Sequence, residues 1–167
     1  MEFVGRKVDR FEIVEHIGEG GMANVYKAYD PEIKRSVALK ILKEEHCSNE
    51  DYKNRFLKEG RAAGALTHPN IVTIYDVGSI DDAPYIMMEL LTGKTLGDLL
   101  LEGTRLTLEQ TLECVLQLAD ALDYAHNKNV VHRDMKPDNV MLDPENNMVK
   151  VADFGIARLN HTEVSDT

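Results

Sequence analysis

Residues 131–139 read Val131-His-Arg-Asp-Met-Lys-Pro-Asp-Asn139, and the rest of the chain can be placed around them. Two carboxylates (Asp134, Asp138), two cations (Arg133, Lys136) and an amide (Asn139) crowd together here, with Pro137 stiffening the middle. Short apolar runs, Val130-Val131 and Val140-Met-Leu142, lead in and out. Buried polar groups cost free energy unless each finds a partner, so such a stretch makes a poor core and a good site.

Downstream, Met148 to Ala152 reads as a short strand running into Asp153-Phe154-Gly155. Upstream, Thr107-x-x-Gln110 has the form of a capping box, and Leu108, Leu112, Val115, Ala119, Leu122 and Ala125 recur at helical spacing, which predicts a core helix reaching almost to His126. Gly93 and Gly97 mark a connector before it. Two strands, Ile71 to Val77 and Pro84 to Leu90, are expected around a turn at Asp81-Asp82. A long helix is expected from a cap at Ser48-x-x-Asp51 to about Leu66, where His68-Pro69-Asn70 stops it. Tyr52, Phe56, Ala63 and Leu66 share one stripe of that helix. The missing member of the stripe is Glu59, a carboxylate on the face that should be apolar.

Nearer the N-terminus, strands are expected at Arg10 to Ile17, Asn24 to Tyr29 and Ser36 to Leu42. The first turn, Gly18-Glu19-Gly20-Gly21, can take positive φ and leave its N–H groups open to an anion such as a nucleotide phosphate. An ordinary glycine-rich hairpin reads the same way; what favours an anion site is Val25 on the returning strand and Lys40 in the otherwise apolar run SVALKIL. The spacing G-x-x-x-x-G-K-[ST] is absent, which excludes a P-loop. Lys40 could lie on an edge with a solvated tip, but Ala38 and Leu42 put its stem on a buried face, where an ammonium needs a partner. Glu59 can be that partner.

Composition excludes several classes. The 167 residues are 43% apolar and 29% charged with net charge -10, and no basic stripe suits a nucleic-acid backbone. No apolar segment approaches the roughly 20 residues that span a bilayer, and the N-terminus lacks a signal-peptide core, so a cytoplasmic location is expected. Cys47 and Cys114 have neither metal nor disulfide spacing and read as reduced thiols. The histidines form no zinc pattern.

A glycine-rich turn, VALK, a helix glutamate, HRDxxxxN and DFG in this order resemble the eukaryotic-like protein kinases, and GEGGMANVY (Gly18 to Tyr26) is similar to their bacterial Ser/Thr branch. The resemblance runs from about Arg10 to Arg158. It implies an α+β fold: residues 1–91 as a five-stranded antiparallel lobe with one long helix, and residues 92–167 as the first, mainly helical part of a second lobe. It implies ATP with Mg²⁺ as cofactors, Mn²⁺ being an alternative, and a protein Ser/Thr hydroxyl as substrate. Gly18, Glu19, Gly20 and Gly21 would cover the phosphates, with Ala23 where the family usually has a third glycine. Lys40, positioned by Glu59, would hold the α and β phosphates. Asp134 would accept the substrate proton, Lys136 would neutralise charge on the transferred group, and Asn139 and Asp153 would hold the metal. Ile17, Val25, Ala38, Met88 and Met141 would wall the adenine, with the backbone of Glu89 and Leu91 on its edge.

The sequence stops at Thr167, within what the resemblance makes the activation segment, so an incomplete second lobe is expected. Its apolar underside would then be exposed and would drive self-association. Thr162, Ser165 and Thr167 stand where the family is phosphorylated. The alternative is a nucleotide-binding, catalytically impaired fragment or regulatory module. A small-molecule phosphotransferase shares the lobes, but Lys136 and Ile156-Ala157-Arg158 after DFG resemble protein kinases.

Overall fold

The computed structural model describes residues 3–143 and 146–154. Gly155 and the hydroxyls of Thr162, Ser165 and Thr167 lie outside these residues. The first part of the chain is one antiparallel sheet: β1 (Lys7–Val8), β2 (Phe11–Glu19), β3 (Ala23–Asp30), β4 (Arg35–Leu42), then helices α1 (Glu44–Cys47) and α2 (Glu50–Gly64), then β5 (Ile74–Ile80) and β6 (Ala83–Glu89). The strand order β1-β2-β3-β4-β6-β5 sets β4 in the middle. Its apolar run is accordingly buried on both faces, with Val37, Leu39, Ile41 and Leu42 almost inaccessible.

One face of the sheet carries a core of Ile13, Tyr26, Leu39 and Met87. The other packs under α2 through Ala23, Leu42, Phe56 and Ile86. The β5–β6 turn falls at Asp81-Asp82, both at positive φ, which Asp tolerates in tight hairpin turns. Asp30 closes β3: its carboxylate is buried, takes Arg10 Nε at 2.6 Å and accepts the backbone N–H groups of Glu32 and Ile33.

The second part holds β7 (Lys94–Thr95), α3 (Leu96–Leu101), α4 (Leu108–Asn127), a 3-10 turn at Pro137–Asn139, β8 (Val140–Asp143) and β9 (Met148–Val151), with a sheet ordered β7-β8-β9. Thr107 caps α4 in a reciprocal capping box with Gln110, as its spacing predicts. Thr95 caps α3 with Asp98 in the same way.

Four expectations are corrected. A two-residue β1 adds a sixth strand to the first sheet. The segment expected as a strand from Ile71 begins only at Ile74, because its first backbone groups serve β9 instead: Val151 N donates to Asn70 O at 2.8 Å and Val72 N to Val151 O at 3.0 Å. The cap of α2 is Asn49, not Ser48; the Asn49 side chain accepts from the N–H groups of Asp51 and Tyr52, whereas Ser48 closes α1. Finally, the stripe read as the core face of α4 lies open for most of its length, with Leu108 78%, Leu112 54% and Val115 55% exposed. The covered face is Cys114, Ala121 and Ala125, with Cys114 packed on Val140, Leu142 and Val149 of the β8–β9 hairpin. Apolar residues occur on both faces of α4, so periodicity alone did not choose between them.

The corrected cap has a measurable consequence. Asn49→Ala should lower stability by about 1 kcal/mol, the usual worth of an N-cap side chain, while Ser48→Ala should change it by far less. Denaturant titration of the two variants checks this; equal losses would return the cap to Ser48.

Candidate nucleotide-binding and phosphoryl-transfer site

Lys40 sits in the ladder opposite Val25 on one side and Ile86 on the other, and Ala38 is opposite Met88. Cross-strand partners share a face, so Val25, Ala38, Lys40 and Met88 look out of the same side of the sheet, the side that α2 covers. The Lys40 side chain is 16% exposed, and its ammonium lies 2.7 Å from Asp153 Oδ1 and 3.8 Å from Glu59 Oε1. The pairing read from the helical stripe is therefore present, but Asp153 is the nearer partner. Phe56, Ala63 and Leu66 bury the stripe that carries Glu59.

Electrostatics follow from that asymmetry. Burial works to lower the pKa of Lys40, but the charges of Asp153 and then Glu59 outweigh it and hold it above the ordinary lysine value. Glu59 is pushed up to about 7, chiefly by burial; Lys40 opposes this, while the carboxylates of Asp153 and Asp134 add to it. The two partners thus differ: the cation is well compensated, by Asp153 first, and Glu59 is left short of positive charge.

The glycine-rich turn joins β2 to β3, with Gly18 opposite Val25 in the ladder and Gly20 N donating to Ala23 O at 2.9 Å. None of Gly18, Gly20 and Gly21 adopts positive φ, contrary to the conformation their sequence allowed. What they supply is room: a Cβ on Gly20 would stand 3.3 Å from the Ala23 carbonyl oxygen, and around Gly21 there is open space. Glu19 turns its carboxylate away to Lys43, 2.7 Å distant. Ile17, ahead of the turn, is 43% exposed.

The remaining adenine-wall residues divide between two places. Met88 lines a small cavity of about 20 Å³ with Lys40, Glu59, Asp153 and Phe154, space for about one water. Glu89, Leu91 and Met141 line a larger one of about 180 Å³. The backbone N–H of Glu89 is spent on Thr73 O at 2.9 Å. Its carboxylate takes Lys150 Nζ at 2.8 Å.

Around the 131–139 loop, Asn139 Nδ2 donates to the Asp134 carbonyl at 2.8 Å and lies 3.3 Å from Asp134 Oδ2. Lys136 Nζ is 3.6 Å from the same carboxylate oxygen. Asn139 is buried, and its backbone carbonyl accepts from Ala152 N at 2.9 Å, which sets the loop beside the residue preceding Asp153. With its amide nitrogen engaged, the Asn139 side-chain oxygen is the atom that could meet a metal. Together with the Asp153 carboxylate, whose Oδ1 faces Lys40 Nζ at 2.7 Å, it could offer two hard oxygen ligands, a set suited to Mg²⁺.

Reading the loop missed His132. It is buried, its Nε2 is 2.8 Å from Ala152 O, and its Nδ1 accepts the Asp134 N–H at 3.3 Å. The carbonyl can only accept, so Nε2 carries the proton. Burial lowers its pKa, which keeps the ring neutral. The ring packs 4.7 Å from that of Phe154. Asn70, read only as a helix stop, is also buried and bonds Val149 O at 2.8 Å and Gln117 Oε1 at 2.7 Å. The signal for both was a polar residue beside an apolar strand.

Comparison with known proteins gives the class to which this fold and candidate site belong. The protein kinase domain model matches residues 11–167, and the chain belongs to that family. It is 45% identical over 150 residues to a probable serine/threonine-protein kinase of Clostridium perfringens, covering 90% of this chain and 22% of that protein. To the serine/threonine-protein kinase PrkC of Bacillus subtilis it is 41% identical over 166 residues, covering 98% and 26%. The crystal structure of the Mycobacterium tuberculosis PknI kinase domain superposes with a TM-score of 0.78 at 31% identity, over 92% of this chain and 61% of that one. The chain therefore spans about a quarter of the length of the Clostridium and Bacillus relatives.

The raised Glu59 pKa sets a pH signature for the nucleotide-free protein. Because the folded state holds this proton more tightly than the unfolded one, the stability it contributes is fully present below about 4.5 and is lost as pH rises toward about 7. Glu59→Gln should remove that component, so the thermal midpoint of the variant should gain on the wild type across this window. A difference independent of pH would mean that Glu59 titrates normally.

Proposed function

We propose that this chain carries the ATP-binding and phosphoryl-transfer centre of a protein serine/threonine kinase. The single observation that carries the reading is the convergence of Lys40, Glu59 and Asp153 on one ion-paired centre, with the Asp134–Asn139 pair held beside it by the Asn139–Ala152 backbone bond. The proposal divides the chain into a nucleotide lobe, residues 1–91, and the part bearing the reaction loop, residues 92–167.

In this reading the glycine-rich turn, residues 18–21, covers the phosphates, and Lys40 binds the α and β groups with Glu59 behind it. Ile17, Val25, Ala38, Met88 and Met141 enclose the base, and the backbone of Glu89 and Leu91 meets its edge. A substrate serine or threonine hydroxyl attacks the terminal phosphorus while the bond to the ADP oxygen breaks. The hydroxyl proton passes to the Asp134 carboxylate, and Lys136, on the same carboxylate, offsets negative charge on the transferring group. Asn139 and Asp153 would hold Mg²⁺, or Mn²⁺ in its place, which when bound supplies positive charge to the phosphate oxygens. A cytoplasmic location belongs to the same proposal; among the described residues no helix is long and apolar enough to cross a membrane.

One observation favours a second reading, nucleotide binding without turnover: the Lys40 ammonium is engaged first by Asp153, a proposed metal ligand. Asp134→Asn separates the two. For a kinase, transfer of labelled phosphate from Mg-ATP to a basic protein should fall by about a thousandfold or more, with ATP affinity kept within about threefold. Wild-type chain that binds ATP and transfers nothing would leave only the second reading.

Self-association is proposed as well, through the exposed Leu108, Leu112, Val115 and Leu116 of α4. Sedimentation should show dimers or larger species, reverting to monomer on Leu112→Lys with Leu116→Lys; a monomeric wild type would exclude the contact.

A further inference from the structure

Gly60 follows Glu59 on α2 and is buried against the sheet, although a glycine inside a helix is unfavourable by roughly 0.5–1 kcal/mol relative to alanine. The reason for it is space. A Cβ at this position would stand 2.8 Å from Ile86 Cγ1, 3.0 Å from Ile86 Cδ1 and 3.0 Å from Val77 Cγ2. Carbon atoms in contact prefer about 3.5–4.0 Å, so one side must move. Ile86 is the ladder partner of Lys40. The residue that would collide is therefore the cross-strand neighbour of the lysine that Glu59 must reach.

The neighbouring glycine of the same helix gives an internal contrast. A Cβ at Gly64 would meet Ile74 at 3.8 Å, an ordinary contact. The close approach is thus local to the turn of α2 that carries Glu59. The spacing there has little slack, since Glu59 Oε1 is already 3.8 Å from Lys40 Nζ while Asp153 holds the same ammonium at 2.7 Å.

We infer that Gly60 is a positioning residue for nucleotide binding: by letting the backbone of α2 approach Ile86 and Val77, it keeps Glu59 within reach of Lys40. The inference rests on the reading of Lys40 and Glu59 as the pair that holds the phosphates. Any side chain at position 60 lifts α2 from the sheet beside Lys40 or drives Ile86 toward it. Either shift leaves Lys40 to Asp153 alone.

Three variants of the full chain test this: Gly60→Ala, Gly64→Ala, and Gly60→Ala combined with Ile86→Ala, which removes both colliding carbons of Ile86. ATP affinity by calorimetry should fall about tenfold in Gly60→Ala and stay within about twofold in Gly64→Ala. The double variant should recover affinity to within about threefold of wild type while its thermal midpoint falls further, because truncating a core isoleucine is destabilising. A merely structural glycine would move affinity and midpoint in the same direction. Crystal structures of the nucleotide-free variants give a readout that does not depend on ATP: the Lys40–Glu59 separation should lengthen in Gly60→Ala and return in the double variant. Unchanged affinity and separation in Gly60→Ala, or failure of the double variant to restore the separation, would overturn the inference. A wild-type chain that fails to bind ATP would overturn the proposed function and leave the distance comparison to decide this point.

Discussion

A nearly buried ammonium has to be neutralised, and most of the architecture around Lys40 can be understood from how that is done. Its carboxylates come from two different parts of the chain, Glu59 on α2 and Asp153 just beyond β9. A central strand, a helix and the end of a hairpin in the second sheet thereby meet at one atom. Removing a partner from a buried charge is strongly destabilising. Here the nearer carboxylate is 44% exposed, so solvent weakens its hold, and the attachment of β9 cannot rest on charge alone. Backbone bonds supply the rest: Asn70, Ile71 and Val72 run alongside β9, and the Asn70 side chain adds a bond to Val149.

The same economy of position appears in the reaction loop. Asn129, Arg133 and Asp153 all take positive φ without being glycine, a conformation that costs free energy and persists only where the surroundings over-determine it. The surroundings here are a closed set of bonds. Val130 N returns to Ala125 O, His132 reaches Ala152 O while receiving the Asp134 N–H, and Asn139 spans Asp134 and Ala152. Each bond runs from the loop to α4, to the strand end or across the loop itself. Asp134 and Asp153 are thus set by backbone geometry, and their carboxylates face Lys136 and Lys40 respectively.

This organisation explains what could be read in advance. Glu59 was legible because a carboxylate interrupts an apolar stripe, and Lys40 because a cation interrupts an apolar strand; each anomaly is local and periodic. Which of two carboxylates stands closer to Lys40 was not legible, since it depends on where β9 ends relative to α2. The burial of Asn70 and the late start of β5 were hidden for the same reason, because a backbone pairing with distant β9 leaves no periodic trace. The face of α4 was misread where apolar residues occur on both sides, and the cap of α2 because Ser48 and Asn49 are both good capping types and only the end of α1 decides between them. Gly60 passed unnoticed as a weak helix residue, for its meaning lies in the distance to Ile86.

On the proposed reading a chain of net charge -10 would bind a polyanion, which poses an electrostatic problem. Glu59, Asp134 and Asp153 bring more negative charge to the centre than Lys40 and Lys136 offset. Lys40 is already committed to two carboxylates. On that reading the turn at residues 18–21 would contribute backbone dipoles, the Gly20 N–H being engaged by Ala23 O, and the open space around Gly21 would let an anion come close. The excess of carboxylate would then suit the proposed chemistry: it would leave oxygen ligands for a hard cation and a base for a hydroxyl proton, neither of which a neutralised pocket could supply. Lys40 is accordingly held among carboxylates rather than among other cations. On the proposed reading its position would decide which phosphates are bound, and the surrounding negative charge would favour a phosphate group accompanied by its metal.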